Sequence, residues 1–211
     1  MTDAAMTAEK LIQAKAVQLS LQYPYTWASG WKSPIYCDNR RVLSHPMIRD
    51  YIKSELCNVV FEKFGDAEVV AAVATAGIAW GAMIADQLKL PLIYVRSKPK
   101  EHGLGNQIEG EFVAQQRAVV IEDLISTGKS SLQVVEVLRT NSVEVIGMVS
   151  IFNYGFDAAT NAFTASGVPV HSLTDYETIL ELAKEKGTTT PQEQEVLLKW
   201  RQDPANWNGI Y

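Results

Sequence analysis

The sequence predicts an α/β fold, a parallel β-sheet covered by helices on both faces. Three observations carry that expectation. Strand-length apolar runs alternate with longer helical patterns along most of the chain. The run "EVVAAVAT" (68–75) is continuously apolar, as a strand buried on both faces should be. A length of 211 residues with 47% hydrophobic content suits one large globular domain or a core with a small appendage.

Each element follows in order. Residues 3–21 place Leu11, Ile12, Val17 and Leu19 at helical spacing, which predicts a helix. The segment "YPYTWASGWKSPIYCDNRRVLSHP" (23–46) is aromatic and turn-rich, with short strands expected. Ser44-His45-Pro46 predicts a helix start, with Ser44 as N-cap and Pro46 in the first turn, running to about Phe64. Strand 68–75 follows, and Gly77 opens a helix to about Leu88. "PLIYVR" (91–96) is a strand, and "SKPKEHGLGNQIEG" (97–110) is a polar, glycine-rich charged loop. A strand at 117–122, a helix at 128–140 and a strand at 143–151 come next. A short helix near 156–164, a strand near 168–172 and helices at 174–186 and 191–201 complete the chain. Ligands of such sheets bind at the carboxyl ends of the strands. That edge gathers Thr75–Ala79, Arg96–Gly110 and Glu122–Ser130.

Composition excludes several classes. A net charge of −5 argues against nonspecific nucleic-acid binding. Cys37 and Cys57 form no C-x-x-C motif and predict reduced core thiols of a cytoplasmic protein. Asp3 and Glu9 interrupt the N-terminal segment, which lacks the apolar centre of a secretory signal. No apolar run approaches the roughly 18 residues of a membrane span. His45 and His171 fit a helix start and a strand, so both are expected to be structural.

The informative stretch is "AVVIEDLISTGKSS" (118–131). Its Thr127-Gly128-Lys129-Ser130 imitates the end of a G-x-x-x-x-G-K-[ST] phosphate loop, but the first glycine of that motif would fall at position 123, where Asp123 stands. The stretch fits better as a strand, two acids and a small-residue turn opening a helix. Ser126, Thr127 and Gly128 leave backbone N–H groups free to hold one phosphate at the helix N-terminus. Glu122 and Asp123 are placed for the hydroxyls of the sugar bearing that phosphate. The turn Thr75-Ala76-Gly77 likewise permits close approach of an anion to a helix start.

These residues resemble the type I phosphoribosyltransferases. "VVIEDLISTGKS" resembles their signature for phosphoribosyl pyrophosphate (PRPP), and the likeness spans essentially the whole chain. "VRSKPKEHG" (95–103) and "ASGWKSPIYCDNRR" (28–41) are similar to the catalytic loop and the N-terminal substrate segment of the orotate phosphoribosyltransferases. The resemblance implies a single domain, 1–211. A hood from about 1–45 and the C-terminal segment would cover a core of about 46–170.

It also implies roles. Glu122 and Asp123 would hold the ribose hydroxyls and stabilise positive charge on the ring. Leu124, Ile125, Ser126, Thr127, Gly128, Lys129 and Ser130 would cradle the 5-phosphate, with Ser126 also near orotate. Arg96, Lys100 and His102 would act on pyrophosphate from a lid at 97–110, and Thr75, Ala76 and Gly77 would form a pyrophosphate turn. Mg2+ would travel mainly on PRPP. The partners implied are PRPP, orotate and a second copy of the chain sharing active sites, with no nucleic acid and no membrane.

The chain departs from the family where Trp27-Ala28, Ser97, Trp80-Gly81 and Phe152-Asn153-Tyr154 replace expected charged residues. Lys32, Arg40, Arg41 and Lys98 are candidate replacements. The alternatives on the same fold are a purine phosphoribosyltransferase, which would lack the K-x-H-G loop, and a non-catalytic PRPP-sensing regulator.

Overall fold

The computed structural model describes residues 3–27, 29–96 and 107–209. Helix α1 (Asp3–Gln13) precedes a short strand, β1 (Val17–Leu19). The turn-rich segment supplies β2 (Tyr25–Thr26), β3 (Lys32–Ser33) and β4 (Ile35–Cys37), then a 3-10 turn (Asn39–Ser44) and α2 (Pro46–Lys63). Strands and helices then alternate as β5 (Val69–Val73), α3 (Ala76–Leu88), β6 (Leu92–Val95), β7 (Ile108–Glu109), β8 (Arg117–Ile125), α4 (Lys129–Thr140), β9 (Glu144–Asn153), α5 (Asp157–Ser166) and β10 (Val170–Asp175). Helices α6 (Tyr176–Glu185) and α7 (Pro191–Gln202) follow.

The main sheet has the order β10-β9-β8-β5-β6-β7. Its neighbours run parallel except β7, which adds antiparallel to β6 at the edge. Every residue of β5 is buried, as its unbroken apolar run requires. One apolar cluster joins Val70, Val119, Ile121 and Val149 to Ile52, Leu56 and Val60 of α2 and to Trp80 and Ile84 of α3. On the other face Val69, Ala71, Val120 and Met148 meet Val134, Val135 and Leu138 of α4 and Phe163 of α5. Each of the larger aliphatic side chains contributes about 1.5–3 kcal/mol by leaving water, so the two clusters hold the strand ends in fixed register.

Several expectations change. The helix expected over 3–21 stops at Gln13. Lys15 turns left-handed (φ 54), and Val17 to Leu19 pair with β4 in the register Val17↔Cys37. Long-range pairing overrides helical spacing there. Ser44 does not cap α2. Asp38 caps the 3-10 turn, which runs through Ser44 and leaves the cap of α2 to His45, with Pro46 in the first turn as expected. The strand expected at 117–122 continues to Ile125, because Leu124 and Ile125 pair with Phe152 and Asn153 of β9. Strand β7 falls inside the segment expected to be a loop.

The N-terminal strands pack against the far end of the chain. Trp27 lies 4.9 Å from Tyr154 and 5.8 Å from Trp200, ring centre to ring centre. Tyr154 stacks on Phe156 at 5.4 Å. The Trp200 Nε1–H donates to the Lys32 carbonyl at 3.0 Å. Helix α7 presents Trp200 from a capping box formed by Thr190 and Glu193.

Candidate active site

The carboxyl ends of β5, β6 and β8 lie side by side, since these strands are adjacent and parallel. Thr75-Ala76-Gly77 leaves β5, Arg96 follows β6, and the acid pair with its turn belongs to the end of β8.

Gly77 sits against β8. A Cβ there would lie 2.7 Å from the Ile121 carbonyl oxygen and 3.7 Å from Glu122 Cα. Thr75 caps α3 without a side-chain hydrogen bond, leaving the first N–H groups of that helix to other acceptors. The Ala74–Thr75 peptide is cis.

Glu122 and Asp123 lie within β8, one residue pair before its end. Glu122 is 5% exposed. Its Oε1 accepts the Asp123 backbone N–H at 3.0 Å, and its Oε2 accepts the Ser131 hydroxyl at 2.9 Å. Burial, and then the adjacent Asp123 charge, push the Glu122 carboxyl up to about 8. Asp123 is half-buried. Burial raises its pKa, opposed by a hydrogen bond with the Glu122 carboxyl and by the charge of Arg40. Burial thus raises both acids, and it is more complete at Glu122 than at the half-buried Asp123. The Asp123 carbonyl accepts the Asn39 Nδ2–H at 2.6 Å.

Beyond the acids the expected cradle divides. The Leu124 side chain packs on the apolar core and Ile125 is wholly buried, so only their backbones could serve a ligand. Even the Ile125 carbonyl already accepts the Tyr154 N–H at 2.9 Å. Ser126 and Thr127 are half-buried, while Lys129 and Ser130 are exposed. Gly128 turns left-handed (φ 74) and caps α4 without a side-chain bond. A Cβ on Gly128 would meet Phe163 at 2.8 Å, so glycine is required there by conformation and by packing. The arrangement is an acid pair, Glu122 buried and Asp123 half-buried, running into a tight turn with open helical N–H groups, suited to a sugar phosphate.

Arg96 closes a hairpin with β7. Its N–H donates to Gln107 O at 2.9 Å, and its guanidinium Nη1 lies 3.7 Å from Glu109 Oε1. Lys98, Lys100 and His102 lie outside the described residues, as does Ala28. Arg40 forks onto Asp38, with Nε to Oδ1 at 2.6 Å and Nη2 to Oδ2 at 2.9 Å, and its charge reaches Asp123. Lys32 instead donates to Thr26 Oγ1 at 2.7 Å, and Arg41 is exposed. Trp80, at the place of a missing family lysine, is wholly buried core.

His45 is the exposed N-cap residue of α2 and makes no side-chain cap hydrogen bond, while His171 lies edge-on to Phe64 at 5.6 Å. Cys37 and Cys57 are buried, and the Cys37 thiol donates to Asn39 Oδ1 at 3.4 Å. Sequence reading missed Asn39 and Ser131 as neighbours of the acids. Asn39 carries no signal short of the tertiary contact, although Ser131 lies one residue past the motif.

A family model described as the phosphoribosyl transferase domain matches residues 40–167. The orotate phosphoribosyltransferase of Phocaeicola vulgatus is 52% identical over 202 residues, covering 96% of this chain and 95% of that protein. The crystal structure of orotate phosphoribosyltransferase from Aeropyrum pernix superimposes with a TM-score of 0.75 at 30% identity, covering 88% of this chain and 100% of that one. The UMP synthase structure of Leishmania donovani gives a TM-score of 0.78 at 25% identity, over 94% of this chain and 42% of that one.

Proposed function

The chain belongs to the phosphoribosyltransferase family, among its orotate phosphoribosyltransferases, and from that premise we propose how its own residues divide the reaction. It transfers the phosphoribosyl group of PRPP to orotate, giving orotidine 5'-monophosphate and pyrophosphate in de novo pyrimidine biosynthesis. The residue assignment rests on one observation. The acid-bearing end of β8 runs directly into a small-residue turn whose helix has no side-chain cap.

The C1–oxygen bond to pyrophosphate breaks early, the electron pair leaves with pyrophosphate, and a cationic ribose ring forms before the orotate nitrogen closes on it. The Glu122–Asp123 pair stabilises that cation, with the Asp123 carboxyl on the sugar hydroxyls. Backbone N–H groups and hydroxyls from Ser126 to Ser130 hold the 5-phosphate, with the Leu124 and Ile125 backbones completing the cradle. Ser126 also borders the base. Arg96, Lys100 and His102 neutralise the leaving pyrophosphate together with the Thr75-Ala76-Gly77 turn, and segment 97–110 excludes water that would intercept the cation.

Mg2+ belongs to the same reading, and when bound it neutralises the leaving pyrophosphate. Asp123, Ser126 and Thr127 offer oxygen, the donor class this ion accepts. In this reading the substrate phosphates and water supply most of its ligands.

The packing of the 25–37 segment on Trp200 supports reading it as a hood. A homodimer sharing its sites and residence in the cytoplasm complete the proposal. Buried, unpaired Cys37 and Cys57 support the second, and no described helix is long and apolar enough to cross a membrane. Pyrophosphate release with PRPP and Mg2+ tests the choice of base. Orotate should drive it while adenine, guanine, xanthine and uracil do not, and release with a purine but not with orotate would overturn the reading.

A further inference from the structure

Glu122 and Asp123 are adjacent acids that meet the site unequally. Both oxygens of Glu122 have partners inside the protein, the Asp123 N–H on one and the Ser131 hydroxyl on the other. By strand register Glu122 stands beside Ser150, whose hydroxyl shares a 2.7 Å hydrogen bond with Ser172 of β10. The polar row therefore continues from Glu122 across β9 to β10. Asp123, half-buried, has the charge of Arg40 nearby and its carbonyl pinned by Asn39. Ser131 is 1% exposed and lies in the first turn of α4, so its hydroxyl ties the helix behind the phosphate turn to the acid pair.

We propose that the two acids divide the work: Asp123 meets the sugar, while Ser131, through Glu122, is a positioning residue that fixes Asp123 in the geometry the transition state requires. The inference rests on the phosphoribosyl-transfer reading above. Positioning acts on the charge that develops in the ring, so it should alter turnover more than PRPP binding.

Steady-state kinetics of the full chain, with orotate saturating and PRPP varied, test it alongside thermal midpoints. Ser131→Ala should lower kcat about tenfold, the factor one hydrogen bond is worth, and leave KM for PRPP within about twofold. Ser131→Thr, which keeps the hydroxyl, should restore kcat. Ser131→Cys, nearly the same size with a weaker donor, should fall between and decides the matter if the alanine variant does not fold. Wild-type kcat in both the alanine and cysteine variants overturns the proposal. So does a raised KM at unchanged kcat, which would place Ser131 in ground-state binding. Wild-type turnover in the same assay keeps the two readings apart. Its absence refutes orotate transfer, while its presence with an indifferent Ser131 refutes only the positioning role.

Discussion

Gly77→Ala separates two reasons for a glycine at the end of β5. The added Cβ would lie 2.7 Å from the Ile121 carbonyl oxygen, about 0.7 Å inside ordinary contact at 3.4 Å. That oxygen is backbone in a central strand, between β5 and β9, and has little freedom to retreat. Helix α3 must therefore move off β8, or β8 must bend, beside Glu122. Overpacking of this kind costs about 1–3 kcal/mol. For a chain of this size about 2 kcal/mol lowers the melting temperature by roughly 4–8 °C. Differential scanning calorimetry measures the shift, and PRPP titration of the same variant reports whether the turn still binds. A melting temperature equal to wild type, with PRPP affinity alone reduced, would refute the packing argument and leave Gly77 serving only close approach to pyrophosphate.

Other outcomes follow from the same geometry. The Glu122 carboxyl is pushed up to about 8, so the folded state binds an extra proton between the ordinary carboxylate range and that value. Stability should fall as pH rises through this window, and Glu122→Gln should flatten the decline in denaturant titrations. Trp200→Ala removes a wholly buried ring and the Nε1–H bond to Lys32; urea unfolding should show a loss of about 3–5 kcal/mol. Lys100→Ala should slow turnover about a hundredfold, with PRPP affinity less affected in steady-state kinetics. Mixing Lys100→Ala chains with Asp123→Asn chains should restore activity toward about a quarter of wild type if lids act in trans. No recovery after confirmed subunit exchange refutes the shared site.

The parallel sheet was legible because β5 is a continuous apolar run and β8 opens with one at 118–121, the pattern of strands buried on both faces. The acid pair and the turn at Gly128 were legible because their residue types are local, contiguous and costly elsewhere. The N-terminal region was not. Val17 and Leu19 fit a helix by spacing, yet pair with Cys37 and Ile35, a choice made by contacts about twenty residues away. Gly77 was legible as a position needing a small residue, but sequence could not say that the close neighbour is the protein's own β8. Asn39 and Ser131 stayed hidden because their partners, Asp123 and Glu122, are set by tertiary packing; a polar residue destined for burial looks like any other in a string.

The most direct measurement is the loss of orotate absorbance with PRPP and Mg2+, followed for the wild-type chain and for Asp123→Asn at saturating substrates. The account predicts steady consumption by the wild type. The variant should be slower by about a hundredfold, with a melting temperature near that of wild type, because the substitution exchanges a half-buried carboxyl for an amide of nearly the same size and opens no cavity. Orotate left unconsumed by the wild type, or consumed by Asp123→Asn at the wild-type rate, would contradict it.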